Sequence, residues 1–278
     1  MTIDTQTRPP VETTPTRRER RRSGRRVTAI IAVPLILMIL AAFGIVLRAV
    51  VTHHRALQVD APPLALTPMA TAAAPSSGGS SGSTQVSGGP VVDPNWLQQT
   101  SAMTGISARA LEGYGKAQLQ IATMKPSCRL GWNTLAGIGW IESGHGTSRG
   151  SVLLPDGRTS KSILGPALDG TKGTRAIEAT VADHAATGDP DWDHAAGPMQ
   201  FIGGTWARWG IDGNQDSIVD RNNIDDAALA AAMYLCAGAR DLSTGEGWSD
   251  AIHSYNHSNK YVLAVNKRAN RYALDAMS

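Results

Sequence analysis

Val27 to Leu47 is a run of 21 residues without one charged side chain, and it divides the chain before any fold is considered. In a helix rising about 1.5 Å per residue, such a run crosses a hydrocarbon core of about 30 Å. Pro34 inside it is tolerable in a membrane helix. A cleaved signal peptide would have an apolar region of about 7 to 15 residues closed by small residues, whereas Arg48 and His53-His54-Arg55 follow here. A retained transmembrane helix is therefore expected over 27–47. Residues 1–26 hold eight arginines against Asp4, Glu12 and Glu19 and lack apolar periodicity, the composition of a disordered basic tail. The excess of arginine before the run places that tail in the cytoplasm and everything after the run outside, as a single-pass protein of the cell membrane.

The net charge of +3 then has a local origin, because the tail alone carries +5 and leaves −2 for the rest. Residues 93–278 contain 16 Lys and Arg against 19 Asp and Glu, which argues against a nucleic-acid partner bound through a basic face. The arginines serve topology and contact with anionic lipid. Residues 48–94 read as a flexible extracytoplasmic linker, because Asp60 to Pro94 is a Pro, Ala, Ser and Gly stretch that includes Ser76-Ser77-Gly78-Gly79-Ser80-Ser81-Gly82-Ser83. Such a stretch spans roughly 30 Å on average and about 110 Å fully extended. What remains, 95–278, suits one core.

That domain reads as mostly helical. Leu111, Tyr114, Ile121 and Met124 share one side of a helix over 108–124, which Pro126 ends. A second helix runs through Leu135-Ala136-Gly137-Ile138-Gly139-Trp140-Ile141-Glu142-Ser143, with Asn133 or Thr134 as its N-cap and Gly144 just past its end. Leu135, Ile138 and Glu142 stand at i, i+3 and i+7, so the carboxylate lies on the apolar face. Burial and the negative end of the helix dipole both raise the pKa of Glu142 and fit it to general acid catalysis. A Glu that ends its helix in solvent is the plainer alternative. Arg149 to His194 is rich in Gly, Asp, Thr and Pro, a loop region of the length that usually carries function. Further helices are expected from Asp225 or Asp226 to about Ala237, with Leu229, Met233 and Cys236 inward, from near Ser249, and from near Ser258 with Tyr261, Val262 and Val265 together.

Cys128 and Cys236 are the only cysteines, and an even count outside the membrane favours a disulfide over two buried thiols. His253 and His257 stand at i and i+4 without the Glu of an HExxH motif, which argues against zinc. Asp212, Asn214 and Asp216 supply oxygen side chains at positions 1, 3 and 5 of an EF-hand-like loop, with the Ile218 carbonyl at 7 and Asp220 at 9. Ser217 replaces the usual Gly at 6 and Asn223 the usual Glu at 12, so a calcium site needs a lengthened loop closed by Asp226. The same residues also suit an Asp/Asn turn that caps the next helix without metal.

In chain order, Leu135 to Gly146 with Glu142-Ser143, Ala196-Gly197-Pro198-Met199-Gln200-Phe201-Ile202, the acidic loop from Asp212, Met233-Tyr234-Leu235-Cys236, and Tyr255-Asn256-His257-Ser258 with Tyr261-Val262 resemble the lytic murein transglycosylase B family, in particular its actinobacterial membrane-anchored members. The resemblance covers about 95–272. It implies a mostly α, lysozyme-like domain of the α+β superfamily, behind the transmembrane helix and linker, that cleaves peptidoglycan glycan strands. By it Glu142 is the sole catalytic acid and base, with Gln200, Tyr234, Tyr255, Asn256 and Tyr261 lining the saccharide groove and Ser143 and Phe201 beside them. The family's calcium loop is also lengthened, so the resemblance supports Asp226 as the closing ligand of a structural calcium ion, while the chemistry requires no cofactor. Gly203-Gly204 stands where the family often has Pro, and His257 replaces a common Asn.

The resemblance implies cleavage of the MurNAc-GlcNAc β-1,4 bond by protonated Glu142, followed by attack of the muramic C6 hydroxyl on C1 to leave a 1,6-anhydro end. An intramolecular nucleophile makes a second carboxylate unnecessary. Asp191 and Asp193 are the residues that could approach as one. A hydrolytic muramidase would use the same Glu142, and a non-catalytic peptidoglycan-binding module would keep the aromatic groove without needing the acid.

Overall fold

A computed structural model of the chain describes residues 57–64, 90–171 and 174–278. The basic tail, the uncharged run 27–47 and most of the linker lie outside the described residues; among the described residues, no helix is long and apolar enough to cross a membrane.

Val92, 3% exposed, leads into α1 (Pro94–Thr104) and α2 (Ala108–Met124). Asp93 and Ser107 cap the two helices, accepting hydrogen bonds from the Asn95 and Ala110 amides. The bounds of α2 agree with the apolar spacing, and Leu111, Tyr114 and Ile121 are buried; Met124 is exposed in the last turn. α3 (Trp132–Ser143) follows, then α4 (Val181–Thr187), α5 (Gly203–Trp209), α6 (Ile224–Leu235), α7 (Gly245–Tyr255) and α8 (Asn259–Asp275). β1 (Leu164–Ala167) and β2 (His194–Ala196) pair antiparallel, Leu164 opposite Ala196 and Ala167 opposite His194. The domain is mostly α, as expected.

Two close helix pairs build the core: α2 packs on α6 and α3 on α8. α6 is buried on nearly every side through small residues, Ala227, Ala228, Ala230, Ala231 and Ala232 all being fully buried. α3 carries two glycines, each costing roughly 1 kcal/mol against Ala in a helix interior. A Cβ on Gly137 would stand 3.1 Å from the Val265 carbonyl, and one on Gly139 would collide with the Tyr114 hydroxyl. Helix propensity is given up for contact with α8 and α2.

The structure corrects two helix starts. α3 is capped by Gly131, not by Asn133 or Thr134. Both of those side chains serve tertiary bonds instead: the Asn133 amide donates to the carbonyls of Pro63 and Ala269, and the Thr134 hydroxyl accepts from the Trp248 indole. α7 begins at Gly245, four residues before Ser249, with Thr244 as cap. The region 149–194 is loop-rich as read, yet it also holds β1 and the short α4, which a Thr180–Asp183 capping box starts. Cys128 and Cys236 form a disulfide with Cα atoms 5.5 Å apart, tying the loop before α3 to the end of α6 across 108 residues.

Residues 57–64, read from composition as linker, lie against the domain. Val59 and Ala61 pack on the core and Pro62 is buried.

Candidate active site

Glu142 is the penultimate residue of α3. Gly144 closes the helix in the left-handed conformation (φ 59°), and the His145 amide returns to the Gly139 carbonyl. Around Glu142 the helix changes character, for Trp132 to Gly139 are buried on all sides while Trp140 and Ile141 are 42% and 39% exposed. The carboxylate therefore sits where the core helix emerges at the surface. Tyr261, in the first turn of α8, donates its hydroxyl to Glu142 Oε1 at 2.5 Å. Burial pushes the Glu142 pKa up to about 7, against the opposing effect of that hydrogen bond. Burial, reinforced by the Glu142 charge, holds the Tyr261 and Tyr255 hydroxyls well above the ordinary tyrosine range, so both stay protonated donors. Among the described residues, burial and the Tyr261 hydroxyl are what shift Glu142, and no second carboxylate adds to them. Asp193 is occupied by the amides of Gly203 and His194, and Asp191 is exposed.

Beside Tyr255 opens a cleft of about 350 Å³ lined by Gln200, Phe201, Tyr234 and Tyr255, together with Arg175, Ile177, Thr205 and His257. Glu142 is not part of this lining; Tyr255 connects the two, lining the cleft while lying in the field of Glu142. The aromatic rings meet edge to face, Tyr255 with Phe201 at 5.7 Å and with Tyr234 at 5.6 Å. Their hydroxyls are tied to the frame: Tyr255 donates to the Met199 carbonyl and Tyr234 to that of Ser254. Gln200 takes a left-handed backbone (φ 50°) and donates from Nε2 to the carbonyls of Ile163 and Gly197, which presents its side chain at the cleft wall.

The structure thus brings together Glu142 with Tyr261, and Gln200, Phe201, Tyr234 and Tyr255 with one another. Ser143 is placed differently from the expectation. It is buried, its hydroxyl donates to the Pro198 carbonyl at 2.6 Å and accepts from the Gly146 amide, so it fastens the end of α3 to the Gln200 segment rather than lining the cleft. Asn256 is exposed just past α7 and outside the cleft lining. Arg175 and Thr205 are lining residues that the sequence did not single out, since neither belongs to a periodic segment. Gly203 acquires a reason: its amide donates to Asp193, and a Cβ there would collide with the Asp183 carboxylate. Proline at 203 would have neither the donor nor the room.

In the acidic loop, the Asp212 carboxylate accepts from the amides of Gln215, Asp216 and Ser217, that of Asp216 from Ile218, and that of Asp226 from Gly213 and Asp220. Among the described residues, no group of three or more His, Cys, Asp or Glu side chains is gathered to hold a metal. The donors nevertheless fit calcium in kind. Asp212, Asn214, Asp216, Asp226 and the Ile218 carbonyl offer only oxygen, and Ser217, at the position where EF-hand loops place Gly, has φ 68°. Burial, with the nearby Asp212 charge, raises Asp226 to about 6.

No family model and no curated protein matches the chain. Among solved structures it is similar to the Escherichia coli lytic transglycosylase Slt35 in complex with bulgecin A, at 14% identity over 68% of this chain and 77% of that one, with a TM-score of 0.40. It is similar to a 36 kDa muramidase/transglycosylase at 14% identity over 68% and 78%, TM-score 0.40, and to Slt35 in complex with calcium at 14% identity over 68% and 77%, TM-score 0.37. At so low an identity and TM-score, the chemistry has to be read from Glu142 and its surroundings.

Proposed function

We propose that this chain is a peptidoglycan lytic transglycosylase that cleaves the MurNAc-GlcNAc β-1,4 bond and leaves 1,6-anhydro-MurNAc ends, acting in cell-wall remodelling. The observation that carries the reading is a carboxylic acid, raised to about 7, next to an aromatic cleft and, among the described residues, with no second carboxylate acting on it. Stacking faces and the Gln200 amide suit sugar rings, which present apolar faces and equatorial hydroxyls. Near neutral pH a substantial fraction of Glu142 is protonated and can donate to the glycosidic oxygen. The carboxylate so formed, held by the Tyr261 hydroxyl, then takes the proton of the muramic C6 hydroxyl as that oxygen closes on C1. Oxygen replaces oxygen at C1, the proton given to the leaving sugar is recovered from the C6 hydroxyl, and no water is consumed.

The anchor over 27–47, with the tail in the cytoplasm and the domain outside, belongs to the same reading. So does a structural calcium ion at Asp212, Asn214, Asp216, Ile218 and Asp226, which would brace the entry to α6 and supply no step of the chemistry. Mass spectrometry of products from purified murein tests the reaction. Muropeptides lighter by one water than lysozyme products of the same strands are expected. Reducing ends would point to a hydrolytic muramidase, and no products at all to a binding module.

A further inference from the structure

From Tyr261, which holds the Glu142 carboxyl, one row of α8 side chains continues at helical spacing through Ala264, Lys267 with Arg268, Arg271 and Leu274. Together with Ile141 of α3, these last five line a groove of about 620 Å³. Ile141 directly precedes Glu142, and Arg271 stands about 15 Å along the helix from Tyr261. The groove is apolar at Ile141 and Leu274, which are 39% and 60% exposed, and cationic between them. The Arg268 guanidinium lies 4.1 Å from the Trp140 ring centroid and 5.7 Å from that of Tyr272. One of its donors meets the Tyr272 hydroxyl, and stacking by its face leaves the other in-plane N–H groups for a ligand. Among the described residues, neither Arg268 nor the exposed Lys267 is paired with a carboxylate. Asp275 takes Nε of Arg271 at 2.8 Å and leaves its terminal nitrogens. Three cations within five residues are a local excess in a region with 16 bases against 19 acids.

We propose that this groove is a second substrate subsite, which takes the anionic peptide stem of the muramic acid being cut. Arg268, Lys267 and Arg271 receive its carboxylates, and Ile141 and Leu274 its apolar side chains. The proposal rests on the reading of Glu142 as the acid that cuts a murein strand. A stem hangs from the muramic ring whose bond is broken, so it leaves the strand next to Glu142. Four or five extended residues at about 3.5 Å each reach about 15 Å, which is the span of α8 from Tyr261 to Arg271. The Tyr255 cleft meets neutral sugars with aromatic rings and the Gln200 amide, whereas the groove brings positive charge to the part of the strand that is negative. Strands that carry stems are thereby distinguished from bare glycan by residues that take no part in bond cleavage.

The test uses the full chain with Glu142→Gln, so that strands are bound and not cut. Murein strands are offered in three forms: with stems, with stems whose carboxylates are amidated, and stripped of stems by an amidase. Strands with free carboxylates should bind at least about fivefold tighter than either other form at low salt, and the advantage should vanish near 1 M salt. Lys267→Gln with Arg271→Gln should abolish the advantage and leave affinity for stripped strands unchanged, which also shows that the variant is folded. Lys116→Gln with Arg129→Gln, an equal loss of charge elsewhere, should keep it. Equal affinity for the three forms, an advantage that survives the groove pair, or an equal loss on stripped strands would overturn the proposal. Phosphatidylglycerol vesicles that protect Lys267 from acetylation where the strands do not would give the groove to a lipid surface and overturn it as well. A wild-type chain that leaves murein uncut would remove the enzymatic reading, while the stem advantage and its loss in the groove pair would still decide the subsite.

Discussion

Glu142 and Asp226 are both carboxylic acids raised by burial, to about 7 and about 6, yet their surroundings differ in kind. Asp226 accepts from the Gly213 and Asp220 amides, both oxygens engaged by the loop that it closes. Among the described residues, Glu142 has one side-chain donor, the Tyr261 hydroxyl on Oε1. Backbone amides hold Asp226 in a structural task, whereas Glu142 is left with acceptor capacity beside a cleft and a pKa at which it can give and take a proton. A raised pKa alone does not mark a catalytic group; what else the oxygens are bonded to does.

Substitution at the two acids should separate these roles. Glu142→Gln keeps shape and a hydrogen-bond donor but cannot exchange a proton, so turnover of murein should fall at least about 100-fold with binding retained. Its stability should move the other way. A carboxyl raised in the folded state contributes stability that is present below the ordinary carboxylate range and lost as pH rises through about 7. Removing it should therefore make the protein more stable at pH 8, by on the order of 2 to 3 kcal/mol in urea titrations. A variant with full turnover would take Glu142 out of the mechanism.

Asp226→Ala should do the reverse. One buried and one half-buried amide lose their acceptor, at a cost of about 2 to 4 kcal/mol by denaturation, while turnover per folded molecule stays within about threefold. Loss of turnover in a folded Asp226→Ala protein would erase the distinction between the two sites.

A smaller effect is expected from Tyr261→Phe, which removes the one hydroxyl favouring ionised Glu142. The alkaline limb of the pH–rate profile should shift upward by about one unit, and an unmoved limb would show that the hydrogen bond to Glu142 does not govern its proton. The mildest change concerns calcium. Binding to the folded form alone, at 100 times Kd, adds about 2.7 kcal/mol and a few degrees to the melting temperature. Coincident midpoints with calcium and with chelator would make the loop a cap.

The reach of sequence reasoning follows the distance over which each feature is encoded. The ends of α2, the Gly144 cap, the Ser258 cap of α8 and the half-buried acid Glu142 are legible because periodicity, capping and turn chemistry act within a few residues. The Cys128–Cys236 bridge followed from a count of two. Gly245 gives no local start signal for α7, since Gly245-Glu246-Gly247 has the composition of a turn, and only the buried Trp248 on Thr134 shows what that helix is for.

By itself, then, the chain determined a mostly helical domain, an acid at the end of an apolar helix and the residue types of an aromatic groove. Tertiary structure decided the rest. It turned Ser143 away from the cleft toward Pro198, gave Asn133 to Pro63 and Ala269, set Tyr261 on Glu142 across 119 residues, and laid 57–64 on helices some 200 residues away. The physical reason is that short polar side chains and glycines carry little local preference for a partner. Which donor, carbonyl or hydroxyl they meet is fixed only when the helices pack and burial makes an unmet hydrogen bond costly.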